Sequence, residues 1–76
     1  MRLYLGGFFS FYVPQRPLWL EVKLESPQPL RKILQQQGIP LPEVALTVVN
    51  GELVDVEQAV VTDEDEVRLY PPIDGG

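Results

Sequence analysis

Two apolar periods organise this chain of 76 residues. Met1, Leu3 and Leu5 alternate with Arg2 and Tyr4, the period of a strand with one buried face. Gly6-Gly7 interrupts it, a pair that in a strand suggests a bulge, a bend or close backbone approach. Phe8, Phe9, Phe11, Tyr12 and Val13 then either extend the strand or turn into the loop marked by Pro14-Gln15-Arg16-Pro17. Leu18, Leu20, Val22 and Leu24 alternate with Trp19, Glu21, Lys23 and Glu25, the cleanest period-two run in the chain. These runs predict an antiparallel hairpin with a long loop. The period then becomes helical. Leu30, Ile33 and Leu34 sit at i, i+3 and i+4, with Arg31, Lys32, Gln35 and Gln36 on the other side, which predicts an amphipathic helix of about three turns. Ser26 is its expected N-cap, with Pro27 or Pro29 in the first turn. Gly38 is placed for a left-handed C-cap, Ile39 for the apolar contact after it, and Pro40 for the stop.

Residues 44–49 are rich in β-branched side chains and lead into Asn50-Gly51 and Leu53-Val54. Asn-Gly between β-formers is the strongest short hairpin signal, because both residues tolerate positive φ. Residues 55–62 read as a loop that can hold one helical turn, and Asp63-Glu64-Asp65 as an acidic turn. From Glu66 to Tyr70 the period is two again, and Pro71-Pro72 ends that strand because proline has no N–H for a ladder. The order is strand, strand, helix, strand, short strand, strand. One helix of this size covers one face of a mixed four- to five-stranded sheet. The fold expected is α+β, a β-grasp, with the domain in residues 1–70 and a flexible C-terminal tail in residues 71–76.

Composition narrows the chemistry. A chain this short buries roughly 60% of its unfolded surface, near the lower limit for folding unaided. There is no cysteine and no histidine, so a disulfide, a thiolate nucleophile and an imidazole base are all excluded within the chain. The net charge is −5, a field that repels phosphate backbones and anionic membranes, so neither nucleic acid nor a membrane is an expected partner. No apolar run approaches the ~20 residues that span a bilayer, and no signal-peptide pattern opens the sequence. The expected location is cytoplasmic.

The consecutive carboxylates Asp63, Glu64, Asp65 and Glu66 lack the central glycine and the spacing of a calcium loop, so they read as a solvated turn and no metal site is expected. Gly6-Gly7 is too short for a phosphate cradle and reads as a bulge. Tyr4, Trp19 and Tyr70 fall on the strand face opposite the apolar set and divide between packing and an exposed partner patch. The ending is more informative. Residues from Pro71 onward follow a strand directly and reach at most about 20 Å, enough to enter another protein's deep site. Gly75 and Gly76 have no side chains, so a narrow channel could admit them. A terminal carboxylate is ionised at neutral pH and nucleophilic, and attack on ATP would give an acyl-adenylate. The chain would then be a carrier, not an enzyme.

The stretch Val48-Val49-Asn50-Gly51-Glu52-Leu53-Val54, the acidic turn before Glu66-Val67, and the ending Leu69-Tyr70-Pro71-Pro72-Ile73-Asp74-Gly75-Gly76 resemble the MoaD/ThiS sulfur carriers, which are ubiquitin-like proteins. The ending is closer to MoaD, the small subunit of molybdopterin synthase. The resemblance implies a cytoplasmic sulfur carrier, monomeric when alone, that binds no cofactor itself. ATP and a sulfur donor would act through a MoeB/ThiF-type adenylating enzyme. Gly76 would carry the adenylate and then the thiocarboxylate. Gly75 would be the channel residue, and Asp74, Ile73, Pro72, Pro71 and Tyr70 would face the partners. A MoaE-like large synthase subunit would accept the sulfur for molybdopterin. Asp74 departs from the small or apolar residue usual there, and Glu64 departs from the usual turn glycine. ThiS-like carriers, tRNA-thiolation carriers and ubiquitin-like conjugation or interaction modules share this ending, and remain alternatives.

Overall fold

The computed structural model describes residues 1–72. Ile73, Asp74, Gly75 and Gly76, which carry much of the expected tail chemistry, lie outside the described residues.

Strands β1 (Arg2–Leu5), β2 (Trp19–Glu21), β4 (Leu46–Val49), β5 (Glu52–Val54) and β7 (Glu66–Tyr70) form one sheet in the order β2-β1-β7-β4-β5. The helix α1 (Leu30–Gln36) lies between the two hairpins in sequence, and the pairing of β1 with β7 is parallel while the other neighbours are antiparallel. This is the expected mixed-sheet β-grasp. Period two places Leu3, Leu5, Val67, Leu69 and Thr47 on the inner face, where they are buried. Leu30, Ile33 and Leu34 of α1 close the core over them, with Phe9 and Ile39.

Local chemistry fixes the turns as expected in two places. Gly38 has φ +79°, its N–H bonds to the Gln35 carbonyl, and the Ile39 N–H reaches back to Leu34 at 2.9 Å, the paired bonds of a Schellman stop. Asn50 and Gly51 have φ +51° and +86°, the two-residue hairpin turn in which both positions are left-handed.

Three expectations are corrected and one open choice is resolved. Ser26 does not cap the helix. Residues Gln28–Pro29 instead form a short strand, β3, antiparallel to β6 (Val60–Val61), and the Leu30 N–H bonds to the Ala59 carbonyl. That pairing holds the backbone extended up to Pro29, so α1 has seven residues rather than three turns. The run 18–25 pairs as a strand only over Trp19–Glu21, opposite Arg2, Leu3 and Tyr4 of β1. The Val22 N–H still reaches the Met1 carbonyl, but the Leu24 N–H is taken by the Asp63 carboxylate at 2.8 Å. Leu20, Val22 and Leu24 keep their inward face, whereas Leu18 is exposed at the loop's edge. Of the two courses left open for residues 8–13, the chain takes the turn into the loop: Phe9–Tyr12 form a 3-10 helix, and its Phe9 drops into the core. Of the readings for Gly6-Gly7 the bulge is wrong, while the close approach and the bend hold: the Gly6 N–H continues the ladder to Leu69 at 3.0 Å, and Gly7 turns the chain out of it with φ +55°.

Candidate functional site

The end of β7 and the outer face of the sheet meet at Tyr70. β7 lies between β1 and β4, paired with β1 as far as Leu69 and with β4 as far as Tyr70. The Ala45 N–H donates to the Tyr70 carbonyl at 2.9 Å, after which Pro71 has no N–H to offer a ladder. Pro71 is half-buried and Pro72 exposed. Pro71 lies directly over Gly7: a Cβ built on Gly7 would sit 2.5 Å from Pro71 Cγ. The chain therefore leaves the sheet across the glycine pair. Of the seven residues expected to carry the tail's function, Tyr70, Pro71 and Pro72 are brought together at this exit, and Ile73, Asp74, Gly75 and Gly76 lie outside the described residues.

The outer sheet face carries a cluster of rings and guanidinium groups. Register sets Tyr4 opposite Trp19 on one side and Arg68 on the other. The Tyr4 and Trp19 rings are 5.1 Å apart, and Tyr4 and Tyr70 are 6.0 Å apart. Gly6 makes room for the second pair, since a Cβ there would lie 3.2 Å from the Tyr70 ring and 3.3 Å from the Tyr4 ring. Arg2 lies 4.3 Å from the Trp19 ring centre, and Arg68 lies 5.3 Å from Trp19 and 5.8 Å from Tyr4, all within cation–π reach. Glu66 lies 3.4 Å from Arg2 and 3.1 Å from Arg68, Glu21 lies 3.7 Å from Arg2, and the two carboxylates together balance the two arginines. Tyr70 first, and Glu66 beside it, push the Arg68 pKa further up, so this cation persists at any working pH. The same face continues across Val48 to Leu46 and Leu53, both strongly exposed. A neutral, aromatic-to-aliphatic face thus sits on a chain of net charge −5.

Tyr4, Trp19 and Tyr70 resolve as half-buried outer-face residues, not core. Arg2, Arg68, Leu46 and Leu53 were missed from the sequence. Parity on each strand gives their face, but only the register shows that they adjoin. The acidic run is absorbed by the fold. Asp63 takes the Leu24 N–H and the N-terminal ammonium, and Asp65 takes the Thr62 N–H and the Asn50 amide. Among the described residues no helix is long and apolar enough to cross a membrane.

Comparison with known families matches residues 5–74 to the family described as Mut7-C ubiquitin. The match begins at the last residue of β1, covers every later strand and stops short of Gly75 and Gly76. It agrees with the ubiquitin-like architecture. No curated protein matches the chain.

Proposed function

The chain belongs to the Mut7-C ubiquitin family, and from that ubiquitin-like frame we propose that it serves as a sulfur carrier working through the α-carboxylate of Gly76. Its ending resembles that of the small subunit of molybdopterin synthase, and that role is the one proposed. The observation that carries this reading is the exit of the C-terminal segment. A strand held on both sides passes straight into Pro71-Pro72, and the sequence beyond them reads Ile73-Asp74-Gly75-Gly76. Those last four residues reach at most about 14 Å from Pro72 and end in two positions without side chains.

The chemistry is short. A Gly76 carboxylate oxygen attacks the α-phosphorus of ATP, the bond to the bridging oxygen breaks, and pyrophosphate leaves. Hydrosulfide then attacks the carbonyl carbon of the acyl-adenylate, AMP leaves with the broken C–O bond, and a proton passes to solvent. The product is a thiocarboxylate. The chain offers no cysteine or histidine for these steps, so a MoeB/ThiF-type adenylating enzyme performs them and the chain is a protein co-substrate. A MoaE-like large subunit is the proposed sulfur recipient, and Asp74 would bring a negative charge to its site.

A second reading has its own observation. The neutral face of Trp19, Tyr4, Tyr70, Leu46 and Leu53 suits a protein partner, so the chain could act as a ubiquitin-like interaction module without sulfur transfer.

Mass spectrometry separates the two. The native protein and its C-terminal peptide are weighed before and after incubation with ATP, sulfide and the adenylating enzyme. A peptide ending at Gly76 that exchanges one oxygen for sulfur is the expected result. An unchanged mass, with the enzyme active on another carrier, or a native chain that continues past Gly76, would overturn the carrier reading.

A further inference from the structure

We propose that Gly6 and Gly7 are positioning residues for the C-terminal segment, setting the direction in which it leaves the sheet. The proposal rests on the reading that this segment is presented to a partner. The geometry is specific to these two positions. The Gly6 N–H makes its ladder bond to the Leu69 carbonyl at 3.0 Å, so β1 and β7 stay in register to Leu69, two residues before Pro71. A Cβ on Gly6 would lie 2.6 Å from that same carbonyl oxygen. On Gly7 it would lie 2.5 Å from Pro71 Cγ and 3.0 Å from Cδ. A real Cβ essentially never approaches another heavy atom to 2.5 or 2.6 Å, so a side chain at either glycine displaces what it meets.

What it meets at Gly7 is the first residue of the exit. Proline fixes its own φ, and Pro72 restricts Pro71 to extended conformations. The seat of the Pro71 ring on the bare α-carbon of Gly7 is therefore passed on as the direction of Pro72.

The simpler alternative is that Gly7 serves only the turn into the Phe9–Tyr12 helix, where its φ of +55° already favours glycine. Gly51 supplies the control. It too is left-handed, with φ +86°, but a Cβ there meets nothing within 4 Å. Gly51→Ala introduces backbone strain alone. Gly7→Ala introduces strain and a collision with the exit.

The chain has no cysteine, so spin labels go cleanly onto Gln35→Cys on the exposed side of α1 and onto Asp74→Cys. The label-to-label distance distribution is measured in the full chain by double electron–electron resonance. Gly7→Ala is expected to shift or broaden it, while Gly51→Ala leaves it as in the parent. Pro71→Ala, which removes Cγ and Cδ and lies past the ladder, is expected to broaden it without loss of stability. Adding Pro71→Ala to Gly7→Ala should cause little further change. In the unlabelled chain, Gly7→Ala should lower kcat/KM for adenylation by about tenfold or more, as a misplaced reacting group does, with Gly51→Ala near the parent. A Gly7→Ala distribution identical to the parent's, or an equal shift from Gly51→Ala, overturns the proposal. Should Gly7→Ala fail to fold, an unchanged distribution in Pro71→Ala overturns it. Absence of adenylation in the parent removes the carrier reading alone, because the distances still decide the positioning role.

Discussion

The side chain of Asn50 ties the tip of one hairpin to the acidic turn across from it: its Nδ2 donates to Asp65 Oδ1 at 2.8 Å, and its Oδ1 accepts the Glu66 N–H at 2.9 Å. Asn50 is thus doing two things, since its φ of +51° also makes the two-residue turn. The two roles separate by mutation. Asn50→Gly keeps the left-handed backbone and loses the side-chain bonds, and should cost about 1 kcal/mol for exposed hydrogen bonds. Asn50→Ala loses both, and the left-handed conformation adds roughly 1 kcal/mol more for a residue with a Cβ. Urea unfolding at neutral pH measures the two. Equal losses would mean that only the side-chain bonds matter.

The same acidic turn sets an acid limit on stability. The Asp63 carboxyl is held below its ordinary value, first by the Leu24 N–H it accepts, against the opposing effect of burial, with the N-terminal ammonium and Lys23 adding to the lowering. The Asp65 carboxyl is lowered in the same way by the Thr62 N–H and the Asn50 amide. With the folded values lowered, the unfolded chain binds more protons in the acid range. The stabilisation is therefore complete above the unfolded carboxylate value of about 4 and is lost as pH falls through the lower folded values. Asp63→Asn retains an oxygen for the Leu24 N–H and removes the charge. The stability gap between parent and Asp63→Asn should be constant from neutral pH down to about 5, and should close below about 4. A gap that stays constant to pH 2 would show that the charge contributes nothing.

Two phenylalanines in one turn should behave oppositely. Phe9 is fully buried, whereas Phe11 is 63% exposed with Arg16 resting on its ring. Phe9→Ala should cost about 3–5 kcal/mol. A domain of this size has only a few kcal/mol in total, so it should unfold or melt near room temperature. Phe11→Ala should stay within about 0.5 kcal/mol of the parent. Thermal melts followed by circular dichroism settle both.

That contrast shows what the sequence could reveal. Period two in residues 1–5 and 66–70 was enough to assign inner and outer faces, and Asn50-Gly51 and Gly38 announced their turns, because these signals depend on a few neighbours. The aromatic run 8–13 has no period, so the inward ring among Phe8, Phe9 and Phe11 is decided by the 3-10 turn and not by local pattern. Gly6-Gly7 was legible only as a choice between a bulge, a bend and a close approach, for the same reason. Its cause is Pro71, far away in sequence, which comes to lie on it only when β1 and β7 pair in parallel. Ser26 looked like a cap because the competing partner of Gln28–Pro29 is the distant β6.

The last prediction concerns the outer sheet face. Leu53 is 68% exposed on the edge strand β5, in line with Val48, Arg68, Tyr4 and Trp19 across the sheet. Because Leu53 is already in water, Leu53→Ser should change stability by no more than about 0.5 kcal/mol. If the face docks a protein partner, the same substitution removes buried apolar area there, and with Trp19→Ala it should weaken binding about tenfold or more, the usual scale for central aromatic contacts. Tyr4 and both arginines lean on Trp19, so Trp19→Ala also disturbs the face itself, and Leu53→Ser is the cleaner probe. The comparison that matters is with deletion of Gly75-Gly76, assayed by titration calorimetry against the adenylating enzyme. A carrier that docks by its face and reacts by its tail keeps most of its affinity after the deletion and loses all turnover. A tail-only substrate loses both together, and is indifferent to Leu53→Ser.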